Sequence, residues 1–570
     1  MFNSKKTNLF PVREKQTTSD KKGTPKPAFV QAGLKKRAET KSGNGALKYS
    51  TTGNAFVDQF GKLGSYKAPR PFGEITKDCE ELWAEDPLKC VRFLFYIRMI
   101  TRSVQLFDFE IKLEANQKGA ELKHEGIMRM IWLSQKDPNA FARNIELFVA
   151  AGSWKDVITM LQYDLVHHGW KGRVLDWDVL GGMILHYLKE DNTRELIKKY
   201  LPSIKSNPSC KTIEAQADNI IAKYFCWVLF KTEDVPSGAL PELNGSYYKK
   251  YRRLKSSGTA HEWQKLISQK KLDKLDFGKI HGRALSQLVR SKFLKRQGLQ
   301  DKYTAWLKKP EAATIKYTGF VHELFKNIYD VTPGHEKETV NRQFATLIEK
   351  GKSGDHTTEY IVVRDTSGSM SSTANGTTFS CNHIAKALAL YFSEFLHGKF
   401  ANSWIEFNSD AKMHEWKGKT PVDKWLNDRA GYVGKTNFQS VISLFIQIKK
   451  SGVPESEFPK GILCISDGEF DPTKDLHSTN VEAVRIALSK GGFSKEYADN
   501  FVIILWNLQN RYYGAGSGEK FETFGTTKNV FYFSGYSAAT VTFVTNGKVT
   551  TAADVVNAAL EQELLQLIEL

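Results

Sequence analysis

The sequence predicts a multidomain α plus α/β protein: an α-helical, solenoid-like first half followed by a Rossmann-like open sheet. Three observations predict it. At 570 residues and 64.5 kDa the chain exceeds what one hydrophobic core supports, so two or three domains are expected. From about Asp78 to residue 350, apolar residues recur at helical spacing. Beyond that point short apolar runs, IVV before Asp365 and GILCI before Asp467, alternate with helical segments, as expected of strands buried on both faces of a parallel sheet.

Residues 1–50 mix Lys, Thr, Ser, Gly and Pro with few aromatics, a composition that cannot bury enough surface to order itself, and they read as a disordered basic arm. Residues 51–350 form the predicted helical domain. The segments DPLKCVRFLFYIRMI, GIMRMIWLSQ, AFARNIELFVA and SWKDVITMLQYDL carry the helical period. Asp86-Pro87 and Asp137-Pro138 read as helix starts with proline in the first turn, and Gly152-Ser153 as a break before a capped helix. Stacked antiparallel helices follow from this, without an exact sequence period. The helical reading continues through WDVLGGMILHYLKE, AQADNIIAKYFCWVLF, the basic stretch 247–307 and TGFVHELFKNIY. GKSGDHTTE, residues 351–359, reads as a hinge.

The α/β domain is placed at 355–570. Its helices are expected in NHIAKALALYFSEFLHG, NFQSVISLFIQIKKSG and NVEAVRIALSK. Near the end, a hairpin is expected around Asn546-Gly547 and a single closing helix in AADVVNAALEQELLQLIEL.

Composition narrows the class. An apolar content of 41% with no run of about twenty apolar residues predicts a globular chain with no membrane span. MFNSKKTNLFPVREKQ lacks the apolar core of a secretory signal, so a cytoplasmic protein is expected. Six cysteines without a CxxC pair predict reduced, mostly buried thiols rather than disulfides or zinc ligands. The net charge of +18 is unevenly spread. Residues 1–50 hold twelve Lys/Arg against three Asp/Glu, residues 247–309 eighteen against four, and residues 355–570 twenty against twenty-four. A polyanion should therefore meet the arm and the middle of the chain, not the α/β domain.

The α/β domain carries the most specific chemistry. Asp365, Ser367 and Ser369 in EYIVVRDTSGSM, Thr436 in GKTNF and Asp467 in GILCISDGEF each follow a predicted strand or its loop. Ligands of open α/β sheets bind outside the carboxyl ends of the strands, where these five side chains are expected to converge. Two carboxylates and three hydroxyls form an all-oxygen set suited to a hard divalent cation that keeps some water, with Mg2+ the first expectation and Mn2+ or Ca2+ the others. Neutral hydroxyls leave such an ion open to an acidic group on a partner. The segment 431–436, GYVGKT, brushes the phosphate-binding loop pattern, but Arg429 stands where that pattern needs glycine, so no nucleotide cofactor is expected.

The DxSxS stretch, the later Thr436 and the later Asp467-Gly468 resemble the metal-ion-dependent adhesion site of von Willebrand factor A domains, and all five positions match. In that family the serines and threonine ligate the ion and the aspartates often act through water. A helical half followed by one such domain resembles the Ro ribonucleoproteins, of the TROVE type. There a ring of HEAT-like helical pairs is closed by the A domain, small non-coding RNA binds the basic outer face, and RNA ends enter the central hole. The likeness is nearest to a Ro-like family of phages, plants and fungi, through FVAAGSWKDVITML, EWQKLISQKKLDKLDFGKIHGRALSQL and SDGEFD, and covers roughly residues 45–570. It implies a HEAT-like ring, a magnesium-binding A domain and small or structured RNA as partner.

The residues add their own argument. Lys249, Lys250, Arg252 and Arg253 interleave with Tyr247, Tyr248 and Tyr251, a pairing that can neutralise phosphates and stack bases, and Lys292, Lys295 and Arg296 extend the positive charge. The competing reading is a solvated helix face whose tyrosines pack inward. No HExxH, GxSxG or Cys/His pairing appears in a supporting context, so a non-catalytic protein is expected. His167-His168 point about 100° apart on a helix and read as packing or surface residues. Asp467 with Asp471 could hold two metals for a nuclease or phosphatase, but the serine and threonine oxygens argue for one ion held for binding, so this is the least favoured reading. The rival to RNA binding is a metal-dependent protein–protein adaptor or, if the chain is phage-encoded, a particle-associated structural protein with a virion location.

Overall fold

A computed structural model gives a chain that is mainly helical up to Lys352 and α/β thereafter. The structure describes residues 39–41, 47–49 and 53–570, apart from 64–65, 67–68, 101, 106–111, 118, 190, 205–211, 231–244, 257–261, 281, 318, 353–359, 375–376, 429, 431–433, 469–479, 510–528 and 536–550. The expected hairpin at Asn546-Gly547 and most of the 351–359 hinge lie outside these. Most of the 1–50 arm does too, but β1 (Glu39–Lys41) and β2 (Leu47–Tyr49) pair antiparallel within it.

The helix starts form as the local chemistry requires. The Asp86 carboxylate accepts from the Lys89 N–H at 2.9 Å and Pro87 opens the helix Pro87–Arg98. Asp137 does the same for Ala140 at 2.9 Å, with Pro138 opening Pro138–Ala151. The Ser153 N–H donates to Asp156 at 2.9 Å at the head of Trp154–His168. These are caps that satisfy N–H groups the helix itself cannot. Between Pro87–Arg98 and the helix Lys123–Lys136 the chain forms an unanticipated antiparallel pair, β3 (Arg102–Gln105) with β4 (Lys112–Gln117).

Three helical expectations are corrected. TGFVHELFKNIY forms only the turn Val321–Leu324, and Asn327 in the left-handed region (φ 57°) follows it. The stretch 247–307 is not continuous helix: short helices alternate with 3-10 turns at Leu272–Lys274 and Phe277–Lys279, the second capped by Asp276 accepting from the Gly278 N–H at 2.9 Å. The closing helix splits into Ala552–Leu560 and Glu563–Gln566 at an extended Gln562, which lets Leu564, Leu565 and Ile568 bury.

The second half is a six-stranded mixed sheet. Its strands are β5 (Tyr360–Asp365), β6 (Ser403–Phe407), β7 (Ala411–Glu415), β8 (Gly461–Ser466), β9 (Val502–Asn507) and β10 (Val530–Ser534), in the order β10-β9-β8-β5-β6-β7. All neighbours run parallel except the edge strand β7. The chain leaves β5 for β6 on one side and later returns to β8 on the other, so the order reverses at β5. That reversal opens a crevice at the carboxyl ends of β5 and β8.

Alternate residues face opposite ways, as the pleat demands. Val362, Leu463, Ile465, Ile504 and Trp506 join a core continuous with the helices of the first half. Ile361, Val363, Ile462, Cys464 and Leu505 face a second core closed by the helices Gln439–Lys450 and Asn480–Lys490. A third, satellite core holds Leu275 to Ile315 within the basic stretch. The first half meets the α/β part at two places. At one, the Ser534 hydroxyl donates to the Gly61 carbonyl at 2.5 Å and the Glu569 N–H to Asn144 at 3.1 Å. At the other, Phe325 stacks on Trp425 at 4.5 Å, His383 Nε2 donates to the His322 carbonyl at 2.9 Å and the Val422 N–H to Asn341 at 3.0 Å.

Candidate metal centre and basic surface

β5 ends on Asp365, which is fully buried. One carboxylate oxygen, Oδ1, accepts from the Ser367 N–H at 2.8 Å, and the other, Oδ2, from the Ser466 hydroxyl at 2.5 Å. The second bond ties the end of β8 to the end of β5. Beyond Asp365 the chain enters the 3-10 turn Gly368–Ser371, which brings the Ser367 and Ser369 hydroxyls to 3.1 Å from each other. Neighbouring ligands at right angles on Mg2+, each at about 2.1 Å, lie about 3 Å apart, so this pair fits adjacent positions on one such ion.

Asp467 follows β8 directly and is buried. Gly468 then turns with φ 82° so close to β9 that a Cβ there would lie 2.7 Å from Asn507 Nδ2. Thr436, also buried, arrives on a loop pinned to the end of β6. The Asn437 N–H donates to the Asn408 carbonyl at 2.9 Å and the Lys435 N–H to Ser409 Oγ at 3.2 Å. The Thr366 N–H in turn donates to the Phe407 carbonyl at 3.0 Å, which locks the β5 and β6 ends together. All five predicted ligands therefore sit at the same carboxyl edge, on the loops around the switch point. Direct contacts join Asp365 to the Ser367 backbone and Ser367 to Ser369; Asp467 acts on Asp365 through charge, and Thr436 enters through its loop.

Burial and the neighbouring Asp467 push the Asp365 carboxyl up to about 7, against the hydrogen bonds from Ser367 and Ser466 that favour its charged form. Two buried carboxylates whose charges act on each other are what a divalent cation relieves, so the donor set fits such an ion. No group of three or more His, Cys, Asp and Glu positioned for a metal occurs among the described residues, which leaves the mixed carboxylate and hydroxyl set as the candidate. Asp471 lies outside the described residues.

Sequence reasoning passed over the second buried cluster at this edge. Arg364, one residue before Asp365, is buried and pairs with Asp428 at 2.6 Å and Asn382 at 2.7 Å, with its guanidinium 5.0 Å from the centre of the Trp404 ring. Burial alone would raise Asp428, yet Arg364 and Lys386 together hold its carboxyl below the usual range. On the β6 side the Thr366 hydroxyl donates to Glu406 at 2.9 Å, and Glu406 meets His414 at 2.7 Å. The available signal was an arginine inside IVVRD, a charge where both sheet faces are covered.

The basic candidates divide. Lys249, Lys250, Arg252 and Arg253 are exposed on the helix Gly245–Ser256, and Lys292, Lys295 and Arg296 are exposed on and beside Phe293–Arg296. The interleaved tyrosines are less open to base stacking than expected. Tyr251 is fully buried, donates to the Pro202 carbonyl at 2.9 Å, and is pushed up by burial; Tyr247 and Tyr248 are half-buried against the main core. That helix thus offers exposed cations, with Tyr247 and Tyr248 open only in part and Tyr251 not at all. His168 Nδ1 bonds Asp164 at 2.9 Å while His167 packs on Tyr163 at 4.1 Å, so each has its own neighbour. Five cysteines, Cys79, Cys90, Cys226, Cys381 and Cys464, are buried free thiols; Cys210 lies outside the described residues. No helix among the described residues is long and apolar enough to cross a membrane.

The chain matches no curated protein. Residues 359–566, which run from just before β5 to the end of Glu563–Gln566, match a family described as a domain of unknown function (DUF7788).

Proposed function

We propose that this chain is a non-catalytic, Ro-like RNA-binding protein. Its α/β part is read as a von Willebrand factor A domain that holds one divalent cation, Mg2+ first, with Asp365, Ser367, Ser369, Thr436 and Asp467. The observation that carries the reading is the meeting of these residues at the switch point, with two hydroxyls 3.1 Å apart beside a buried carboxylate. When bound, the ion supplies an electrophilic position for an acidic side chain or an RNA phosphate or terminal hydroxyl. The protein's own part is to hold that position: Ser466 and the Ser367 N–H fix the Asp365 carboxylate, and the Gly434–Asn437 loop fixes Thr436.

The helical part is read as a HEAT-like ring. In support, the α/β domain contacts both the first helices and the last ones before it. RNA is favoured by the exposed cations of 249–253 and 292–296 and by the eighteen basic against four acidic residues of 247–309. The inward tyrosines favour phosphate contact over base stacking on that helix and keep the protein–protein adaptor as the second reading. Full-length protein purified from its native source separates the two. Small RNA that co-purifies and is stripped by rising salt supports the first reading; protein free of nucleic acid that captures an acidic protein through the metal supports the second.

A further inference from the structure

Beside the satellite core of the basic stretch lies a cavity of about 690 Å³, walled by residues 263–293 and by Lys199 from far earlier in the chain. Its apolar wall is half-buried Trp263, Ile267, Leu288 and Phe293, and its rim carries Lys199 from the helix Asp191–Tyr200 and Lys279. Among the described residues no carboxylate lines it, although Glu262 stands 3.9 Å from Lys279 at the exposed edge. Lys292, exposed, is flanked in sequence by two lining residues, and Lys295 and Arg296 follow within one turn.

Two aromatic rings on an apolar wall with cations at the mouth match one chemistry, a flat ring attached to an anion. The volume lies in the range of pockets that enclose small organic ligands, roughly 300–1,000 Å³. A free anion needs no aromatic wall, and an apolar ligand needs no lysines. An acidic peptide would satisfy the lysines and not the rings. We propose that this cavity takes an unpaired base of single-stranded RNA against Trp263 and Phe293, with the adjoining phosphates on Lys199 and Lys279. Bases in a duplex are stacked on one another and cannot enter, so the pocket selects single strands. The inference rests on the RNA-binding reading above and adds to it where the strand is read and in what form. It also places aromatic stacking away from the tyrosines of Gly245–Ser256.

The test uses the full chain, a fluorescein-labelled oligouridine of about twelve nucleotides and a duplex of the same length, followed by anisotropy at fixed salt. Wild type should prefer the strand. Trp263→Leu should weaken strand binding about tenfold, the scale of one lost base stack, and shift duplex binding less than twofold. Lys199→Ser with Lys279→Ser, both at exposed positions, should weaken the strand by a similar factor and flatten its salt dependence. That pair decides the matter if Trp263→Leu does not fold. Wild-type RNA binding that neither variant changes overturns the pocket and leaves the RNA reading standing. Absence of RNA binding in wild type removes both. A glutamate-rich peptide that binds more tightly than the strand and depends on Trp263 would assign the cavity to an acidic protein and overturn the proposal.

Discussion

Asp365→Asn should make the metal-free protein more stable at neutral and higher pH, an unusual result for a fully buried polar residue. Asparagine keeps the shape: its Oδ1 can accept from the Ser367 N–H at the 2.8 Å the carboxylate uses, and the Ser466 hydroxyl can turn to accept from the new NH2 group. What it removes is a charge held away from water and beside Asp467. The carboxyl titrates at about 7 in the folded chain against an ordinary value of 3.8. Between those pH values the folded state keeps a proton that the unfolded state has lost, so stability falls as pH rises, and the whole penalty is present above about pH 7. A difference of about three pH units corresponds to about 4 kcal/mol. Urea unfolding in EDTA, read through tryptophan fluorescence with Trp404 and Trp506 buried in the sheet, should show the variant more stable by up to that amount near pH 8. Near pH 4 the two proteins should coincide. Millimolar Mg2+ should then stabilise wild type above pH 7 and leave Asp365→Asn unmoved. A variant less stable than wild type at about pH 8 in EDTA, or equal stabilisation of both by Mg2+, would refute the reasoning.

Gly468→Ala should destabilise the α/β part by about 1–3 kcal/mol, because φ 82° suits glycine and the added Cβ would lie 2.7 Å from Asn507 Nδ2. The same change should shrink the Mg2+-dependent rise in thermal midpoint by displacing Asp467. Arg364→Leu takes the 2.6 Å partner from buried Asp428 and leaves Lys386 at 3.4 Å, and should destabilise by about 3–5 kcal/mol, whereas Arg364→Leu with Asp428→Asn should recover most of the loss; urea midpoints of wild type and the two variants decide it.

Much of this site was legible because its signals are local. A two-residue start such as Asp86-Pro87 or Asp137-Pro138 reports its helix directly, and both carboxylates accept an N–H from the first turn of that helix. The strands ending at Asp365 and Ser466 declared themselves as apolar runs, and the DxSxS turn lies where a ligand of an open sheet belongs. What escaped depends on partners far along the chain. Arg364 finds Asp428 sixty-four positions away, and nothing near either residue names the other. Tyr251 looked like a stacking platform because it stands among cations, but its hydroxyl reaches the Pro202 carbonyl forty-nine positions back and its ring fills the core between helices. The helical reading runs through the basic stretch without marking its breaks. That stretch is broken by Asp276, whose side chain competes for the backbone, and by Gly298 at φ 63°, and so it builds a core of its own. The cavity beside that core brings Lys199 to residues 263–293, a long-range pairing that no periodicity announces.

The role proposed for the α/β part depends on one divalent cation binding at the carboxyl ends of β5 and β8. The most direct measurement is an anomalous difference map from crystals of the full chain soaked in Mn2+. It should show a single strong peak within ligand distance, about 2.0–2.4 Å, of the Ser367 and Ser369 hydroxyls and facing Thr436, Asp365 and Asp467. A map with no peak there at saturating Mn2+, or with its only peak elsewhere, would contradict the claim that these five residues form a metal site.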